Sequence, residues 1–535
     1  MHVFRHERRR AEVGALAREV ERAAGNGGLE LLLAAARLEC GLADGWSEAG
    51  GEDWSERRRR LMGMSLAAAE GGGAAVVAAM ERALRGVKKA GEVWVSEPEG
   101  LRYYGLAPEG YAAAARQWRA GQAERRPVWV LGLRTMGSVL APVVARALAG
   151  AGEVRCLTLR PVGEPMERRI QATARLEGAV ARWRGEFVIV DEGPGLSGSS
   201  FGGTVAWLAG LGVEEGRMVL LASGSPAPEQ LGSAYAAAGW RRWRIVVAPG
   251  VAAPSSQPGR GQDISGGRWR QALGRGAATP VWGEHERLKY LCDGGRTLAK
   301  FAGWGGYGRE TRERARRLAA GGWGPELAGE GEAGWVRYRR VPARALPRRP
   351  GRAWCEFAGA YLAWVGAEHR LGGAMAPSVA LREMVAINGE RLLGEELSDE
   401  APIAPPVALD GRMLAVEWGL AERGYVKFDG TDHGDDPFFP GPADIAWDLA
   451  AIAVEFGGAR GRAVVEAYRR RSGEGAAALA PRLRWHGLAY SLFRAAYCGL
   501  AATRTAGREA AGWAAAGERY RASAGRWLGS GGRRR

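Results

Sequence analysis

Phe187-Val188-Ile189-Val190-Asp191-Glu192-Gly193-Pro194-Gly195-Leu196-Ser197-Gly198-Ser199-Ser200 is the stretch on which the reading of the N-terminal half turns. Its first four residues form a short apolar run of the kind that strands buried on both faces show. Two acids follow, then a glycine- and serine-rich turn, then Gly202–Leu211, which is helical in composition. Carboxylates at a strand's carboxyl end accept hydrogen bonds from sugar hydroxyls. The turn presents backbone N–H and hydroxyl groups, and the helix start adds its dipole; together these suit a phosphate dianion. Open α/β sheets bind ligands at that end of their strands. Taken without its neighbours, the same segment is an ordinary polar turn.

The neighbours decide between these readings. Short apolar runs at Val93–Val95, Val128–Leu133, Val154–Leu159, Met218–Ala222 and Trp243–Val247 flank it. Helix-like segments at Gly110–Arg119, Val139–Ala149, Gly202–Leu211 and Pro228–Ala238 separate most of them. This alternation predicts a parallel α/β sheet over 93–250. Residues 1–92 read as a helical extension, with helices over Ala11–Ala24, Leu29–Leu42 and Ala74–Val87 broken at Ala43–Asp53 and Glu70–Gly73. Residues 251–284 are rich in Gly, Pro, Ser and Gln, a linker composition. A second domain spans 285–527, and 528–535 reads as a disordered tail.

Asp191 to Ser200 resembles the phosphoribosyl-diphosphate loop of type I phosphoribosyltransferases, and the resemblance covers about 95–250. It implies that Asp191 and Glu192 contact the ribose hydroxyls, and that Ser197, Gly198, Ser199 and Ser200 hold the 5′-phosphate. Two positions depart from the family: Glu192 stands where Asp is commoner, and the Gly193–Leu196 spacer is one residue longer. Gly132-Leu133-Arg134-Thr135-Met136-Gly137-Ser138 follows an earlier strand, where the family keeps a pyrophosphate loop. Arg134 and Thr135, with Gly137 permitting close approach, match that role. Arg160–Arg169 lies where the family has a loop that closes over the diphosphate, with Arg160, Arg168 and Arg169 as cations. The implied reaction displaces pyrophosphate from ribose C1 by a nitrogenous acceptor, with Mg²⁺ neutralising the leaving group.

The C-terminal half has a different pattern. Thr297–Phe301 reads as a strand carrying Lys300, and the charged helix Arg309–Ala319 carries Glu310 and Glu313. Tyr425-Val426-Lys427-Phe428-Asp429-Gly430 is a strand ending in Asp-Gly, and Asp444-Ile445-Ala446-Trp447-Asp448-Leu449-Ala450 opens a helix. This order is similar to the aminoglycoside-phosphotransferase/protein-kinase-like superfamily over about 285–520, and implies an α+β bilobal fold. By that resemblance Lys300, with Glu313, binds ATP phosphates, Asp429 binds Mg²⁺, and Asp444 and Asp448 tie the helix to the active-site loop. Asp410, in Leu409-Asp410-Gly411-Arg412, is the implied base. No His precedes it, and Ala415 stands where a metal-binding Asn is expected, with Glu417 or Asp432 as substitute oxygen ligands. The plainer alternatives are a strand-edge lysine at Lys300 and a solvated acidic loop at Asp429–Asp436.

Composition narrows the classes. Among 535 residues 46% are hydrophobic and 25% charged, as in a soluble globular protein. No apolar run is long enough to span a bilayer, and the N-terminus has no secretory core; the reading is cytoplasmic. The five cysteines make no CxxC and the six histidines no HExxH, which excludes the usual zinc and disulfide frameworks. The net charge of +16 invites a nucleic-acid partner, but the arginines are dispersed, as on a solvated surface. The 21 tryptophans read as core rather than as base-stacking platforms. Lysine survives only at 88, 89, 289, 300 and 427, which marks those positions as places where a compact ammonium is kept. The expectation is a bifunctional enzyme: phosphoribosyl transfer at the first site and an ATP-dependent small-molecule kinase at the second. The other readings are a non-catalytic ligand-sensing protein on the same two folds, or a basic RNA-binding protein whose affinity falls steeply with salt.

Overall fold

The computed structural model describes residues 9–529, apart from 49, 151, 251–260, 330–332, 348, 398–399, 432–437 and 439–440. The chain divides into two compact units: Arg8–Ala252 with Trp304–Gly306, and Ala253–Gly303 with Tyr307–Arg535. Among the described residues no helix is long and apolar enough to cross a membrane.

The first unit runs β1 (Arg9–Glu12), α1 (Val13–Ala24), α2 (Gly28–Glu48), α3 (Glu56–Glu70), α4 (Gly73–Ala83), β2 (Glu92–Val95), α5 (Glu99–Arg102), α6 (Pro108–Ala120), β3 (Val128–Leu133), α7 (Met136–Leu148), β4 (Val154–Leu159), α8 (Ala174–Arg182), β5 (Glu186–Val190), α9 (Ser199–Gly210), β6 (Met218–Ala222), α10 (Ala234–Trp240) and β7 (Arg244–Val247). Five strands form one all-parallel sheet in the order β4-β3-β5-β6-β7. Strand alternation divides it into two buried faces. Val128, Val130, Val188, Val190, Val219 and Leu221 pack with α6, α7 and the apolar faces of α1–α4. Trp129, Leu131, Phe187, Ile189 and Leu220 pack with α8, α9 and α10. Both faces are therefore covered, which is why these strands read as continuous apolar runs.

Three expectations need correction here. The helical extension does not stand apart: α1–α4 share one hydrophobic core with the sheet. The run at Val93–Val95 is not in the parallel sheet; β2 pairs antiparallel with β1. The break at Ala43–Asp53 comes late, because α2 continues to Glu48 and buries Ala43 and Asp44.

The second unit runs β8 (Gln262–Asp263), α11 (Trp269–Ala272), β9 (Lys289–Cys292), β10 (Thr297–Phe301), α12 (Gly306–Ala320), β11 (Trp335–Arg339), β12 (Arg344–Ala345), α13 (Arg352–Glu368), α14 (Val379–Leu393), β13 (Trp418–Ala421), β14 (Gly424–Lys427), α15 (Ala446–Phe456), α16 (Gly458–Ser472), α17 (Ala476–Arg504) and α18 (Gly507–Gly529). Strands β11-β10-β9-β8 form an antiparallel sheet and β12-β13-β14 a second one. α18 reaches Gly529, so 528 and 529 of the tail expected over 528–535 are helical, and 530–535 lie outside the described residues. Residues 251–260 of the expected linker also lie outside them, whereas 262–284 contain β8 and α11.

Candidate functional site

In the second unit, residues far apart in sequence converge. Lys300 is the fourth residue of β10, opposite Lys289 on one side and Val336 on the other, and is buried. Its Nζ pairs with Asp429 Oδ1, across 129 positions of sequence. Asp429 follows β14 with φ at +62°, in the left-handed region that non-glycine residues seldom occupy. Such backbone conformations persist where the surroundings enforce them, and they concentrate at ligand sites. Gly430 is required next to it: a Cβ there would meet Tyr361 Oη at 2.9 Å and Asp410 Oδ2 at 3.4 Å. Asp429 thus adjoins the segment that carries Asp410.

That segment is pinned from several sides. Asp448, in the first turn of α15, accepts hydrogen bonds from the backbone N–H groups of Asp410 at 3.1 Å and Gly411 at 3.0 Å. The Trp447 indole donates to Gly411 O at 3.1 Å. Asp444 accepts from the Ala446 N–H at 2.9 Å and pairs with Arg482, 2.6 Å from Nε. Burial works against ionised Asp444, but the Arg482 and His486 contacts hold its carboxyl well below the usual range. For Asp448, burial and the nearby Asp410 push the carboxyl well above it.

Asp410 itself is buried. Its Oδ2 accepts from Tyr361 Oη at 2.6 Å and lies 2.9 Å from Lys427 Nζ. Burial pushes the Asp410 carboxyl up to about 6, with Lys427 pulling it back and Glu417 pushing it further up. Glu417 is buried as well, engaged by Arg412 Nε at 2.9 Å, the Leu414 N–H at 3.2 Å and Lys427 Nζ at 3.4 Å.

Two expected assignments change. Glu313 does not join Lys300: it lies on the exposed side of α12, paired with Arg316 and Arg317. The face of α12 turned inward is Tyr307, Gly308, Thr311, Ala315 and Leu318, with no carboxylate. Glu417, proposed as a stand-in oxygen ligand, is already held by two cations and an amide; Asp432, the other stand-in, lies outside the described residues with His433, Asp435 and Asp436. Mg²⁺ commonly takes one or two carboxylates plus substrate phosphates. Asp429, about a quarter exposed, fits as one such ligand, while Ala415 offers none. Among the described residues no group of three or more His, Cys, Asp or Glu is placed to hold a metal by itself. Tyr361 and the inward lysine at 427 were not assigned roles from sequence. The signal for Lys427 was its survival among so few lysines, inside an otherwise apolar strand.

In the first unit, the loops after β3 and β5 leave neighbouring strands, since Gly132 pairs with Val190. The chain passes from β3 outward to β4 and then back to β5 on the other side, so the sheet's switch point falls between them, where α/β sheets hold ligands. Asp191 Oδ1 accepts from the Glu192 N–H at 2.8 Å, and Glu192 Oε2 accepts from the Gly100 N–H at 3.1 Å. The Tyr111 hydroxyl donates to Glu192 O at 2.8 Å. Gly198 caps α9 at φ +71°, and a Cβ there would meet Ala236 Cβ at 2.9 Å, so the turn requires glycine. Ser197 Oγ lies 2.8 Å from Ser199 Oγ, whose hydroxyl also reaches Pro165 O at 2.6 Å. Ser200, the second residue of α9, is half-buried, with its carbonyl accepting from the Thr204 hydroxyl. The Arg160–Arg169 segment is thus folded against the serine turn, with Val162 and Arg169 bridged.

Arg134 is not turned toward that crevice. Its buried guanidinium binds Asp44 Oδ1 at 2.8 Å, Glu52 Oε2 at 3.1 Å and Thr158 O at 3.1 Å. Arg160 is likewise held by Asp44, at 2.7 Å, and by Arg134 O at 2.6 Å. Gly137 also has another purpose. A Cβ there would meet Gly132 C at 2.4 Å, so its absence lets α7 lie on β3 rather than admitting a ligand. Thr135, half-buried before α7, stays at the crevice-side end of β3.

No family model and no curated protein matches the sequence. Among solved structures, the chain is similar to a choline/ethanolamine kinase family protein from Mesorhizobium loti, at 16% identity and a TM-score of 0.28, over 46% of this chain and 91% of that one. A choline kinase from Streptococcus pneumoniae matches at 12% identity and a TM-score of 0.30, over 45% and 91%. A macrolide 2′-phosphotransferase from Brachybacterium faecium matches at 16% identity and a TM-score of 0.30, over 43% and 88%. Kinase-like phosphotransferase structures therefore match about half of the chain, and at these TM-scores what the site can do rests on its own side chains.

Proposed function

We propose that the second unit is a kinase-like nucleotide-binding body, with Lys300 on the nucleotide phosphates and Asp429 on their Mg²⁺. The meeting of Lys300 with Asp429 carries this reading. A strand ammonium beside a carboxylate offers the two charges that a metal–triphosphate requires, one for the phosphates and one for the metal. Bound Mg²⁺ supplies charge neutralisation at the phosphate oxygens. Lys300 orients the phosphates from a rigid strand, and the Asp448 bonds fix the loop beside them. Calorimetric titration of the full chain with ATP and GTP, with and without Mg²⁺, tests the reading. Micromolar to low-millimolar binding that weakens when Mg²⁺ is removed supports it, and no heat for either nucleotide counts against it.

The first unit has its own reading, favoured by the two loops at the switch point: binding of phosphoribosyl diphosphate, with the 5′-phosphate on Ser197–Ser200 and the ribose on Asp191 and Glu192. Transfer to a nitrogenous acceptor is the reaction it would serve. Arg134 and Arg160 are left out of this site, because Asp44 and Glu52 already hold them. Titration with phosphoribosyl diphosphate, comparing wild type with Asp191→Ala/Glu192→Ala, separates binding at the acid pair from binding elsewhere.

A further inference from the structure

The carboxylate at the base position is closed off by its own neighbours. A general base needs a free lone pair within hydrogen-bond reach of the substrate proton. Asp410 is 1% exposed; its Oδ2 is shared by the Tyr361 hydroxyl and the Lys427 ammonium, and its Oδ1 accepts no hydrogen bond but is buried away from any substrate proton. Lys427 is equally buried, and it holds Glu417 Oε2 at 3.4 Å and Phe428 O at 2.8 Å besides Asp410. Arg412 engages the other oxygen of Glu417, so two cations and two carboxylates alternate along one network. The adjacent ammonium favours the ionised carboxylate against its burial and holds it in place by the 2.9 Å contact. The placement of Lys427 is specific. Lysine is retained at only five positions of this arginine-rich chain, and here it points inward from β14, two residues before Asp429. Lys300, within β10, pairs with Asp429, which follows β14.

We propose that Lys427 locks Asp410 as a structural anion, so that the second unit binds a nucleotide at Lys300 and Asp429 without transferring its γ-phosphate. This rests on the nucleotide reading above. The unit then responds to nucleotide as a sensor: phosphate oxygens take Lys300 away from Asp429, and the strand ends they tie together are the part that changes.

Two measurements on the full chain test it together. In the first, thermal unfolding is compared for Lys427→Met, Asp410→Asn and the double variant. The lock predicts that each single change lowers the melting temperature of the second unit by several degrees, and that the double variant recovers most of the loss. Additive losses would overturn the lock. In the second, ATP labelled at the γ-phosphate is incubated with a dialysable small-molecule extract, and with choline and kanamycin as defined acceptors. ATP binding is titrated in parallel. The proposal predicts ATP binding by wild type, with no label transfer above that of the Lys427→Met/Asp410→Asn double variant. Transfer by wild type that the double variant loses while still binding ATP would overturn it. Failure of wild type to bind ATP would instead refute the nucleotide reading and the sensing role with it, while the unfolding comparison decides the lock by itself.

Discussion

Replacing Arg134 by methionine removes the cation at the centre of the first unit's buried charge network. The guanidinium has no exposed side-chain surface and binds two carboxylates, Asp44 and Glu52, together with Thr158 O. Breaking a buried pair by deleting one partner costs about 3–5 kcal/mol, because a charge is left uncompensated in low dielectric. Asp44 keeps Arg160 at 2.7 Å, so the stranded group is mainly Glu52, and about 4 kcal/mol is expected. Hydrogen–deuterium exchange of β3 and β4 peptides in the full chain reads this locally. At about 1.4 kcal/mol per tenfold, their slowest amides should exchange roughly a thousandfold faster. Adding Glu52→Gln should restore much of the protection at neutral pH. Wild-type exchange in Arg134→Met, together with a large loss of pyrophosphate affinity, would refute the reasoning and return Arg134 to the ligand.

Other substitutions bear on separate parts of the account. Gly137→Ala places a Cβ 2.4 Å from Gly132 C and should cost about 1–3 kcal/mol or more in thermal unfolding; an unchanged melting temperature would contradict the α7–β3 contact. Asp448→Ala leaves two buried N–H groups without acceptors, at about 1–3 kcal/mol each, whereas Asp448→Asn keeps one oxygen and should recover part of the loss. Asp444 is depressed by Arg482, so its contribution is present above the unfolded carboxyl range and is lost as pH falls below about 4. Arg482→Met should therefore flatten the acid limb of the unfolding curve between about pH 2 and 5. Gly198→Ala, which drives a methyl against Ala236, should abolish binding of phosphoribosyl diphosphate if the serine turn holds its phosphate, with β-sheet protection elsewhere unchanged.

Much of the framework was legible because its determinants are local. Strands β3, β5 and β6 are fully buried, so they read as uninterrupted apolar runs, and β3, β4, β6 and β10 fall where the runs predict. Lys300 and Asp429 could be paired in advance because strand ends and an Asp-Gly turn leave sequence marks. What stayed hidden depends on partners that sequence does not order. Arg134 looked like a loop cation, and only the fold reveals that α2 delivers Asp44 beneath it, 90 positions away. Glu313 had the right type on the right helix, but helical phase turns it outward and brings Thr311 to the sheet instead. Gly137 carried the mark of close approach, and what approaches is the backbone of β3. The lock on Asp410 draws on Tyr361 in α13 and Lys427 in β14, two residues with no shared motif.

Equilibrium binding of ATP to the full chain carrying Lys300→Met tests the central claim most directly. Lys300 is buried in β10 and pairs with Asp429, so its methionine replacement keeps the shape and removes the ammonium. Wild type should bind Mg²⁺–ATP. Lys300→Met should weaken that binding at least tenfold, or about 1.4 kcal/mol, with circular dichroism unchanged. Wild-type affinity in Lys300→Met, at the same fold content, would contradict the claim that Lys300 and Asp429 form the nucleotide site.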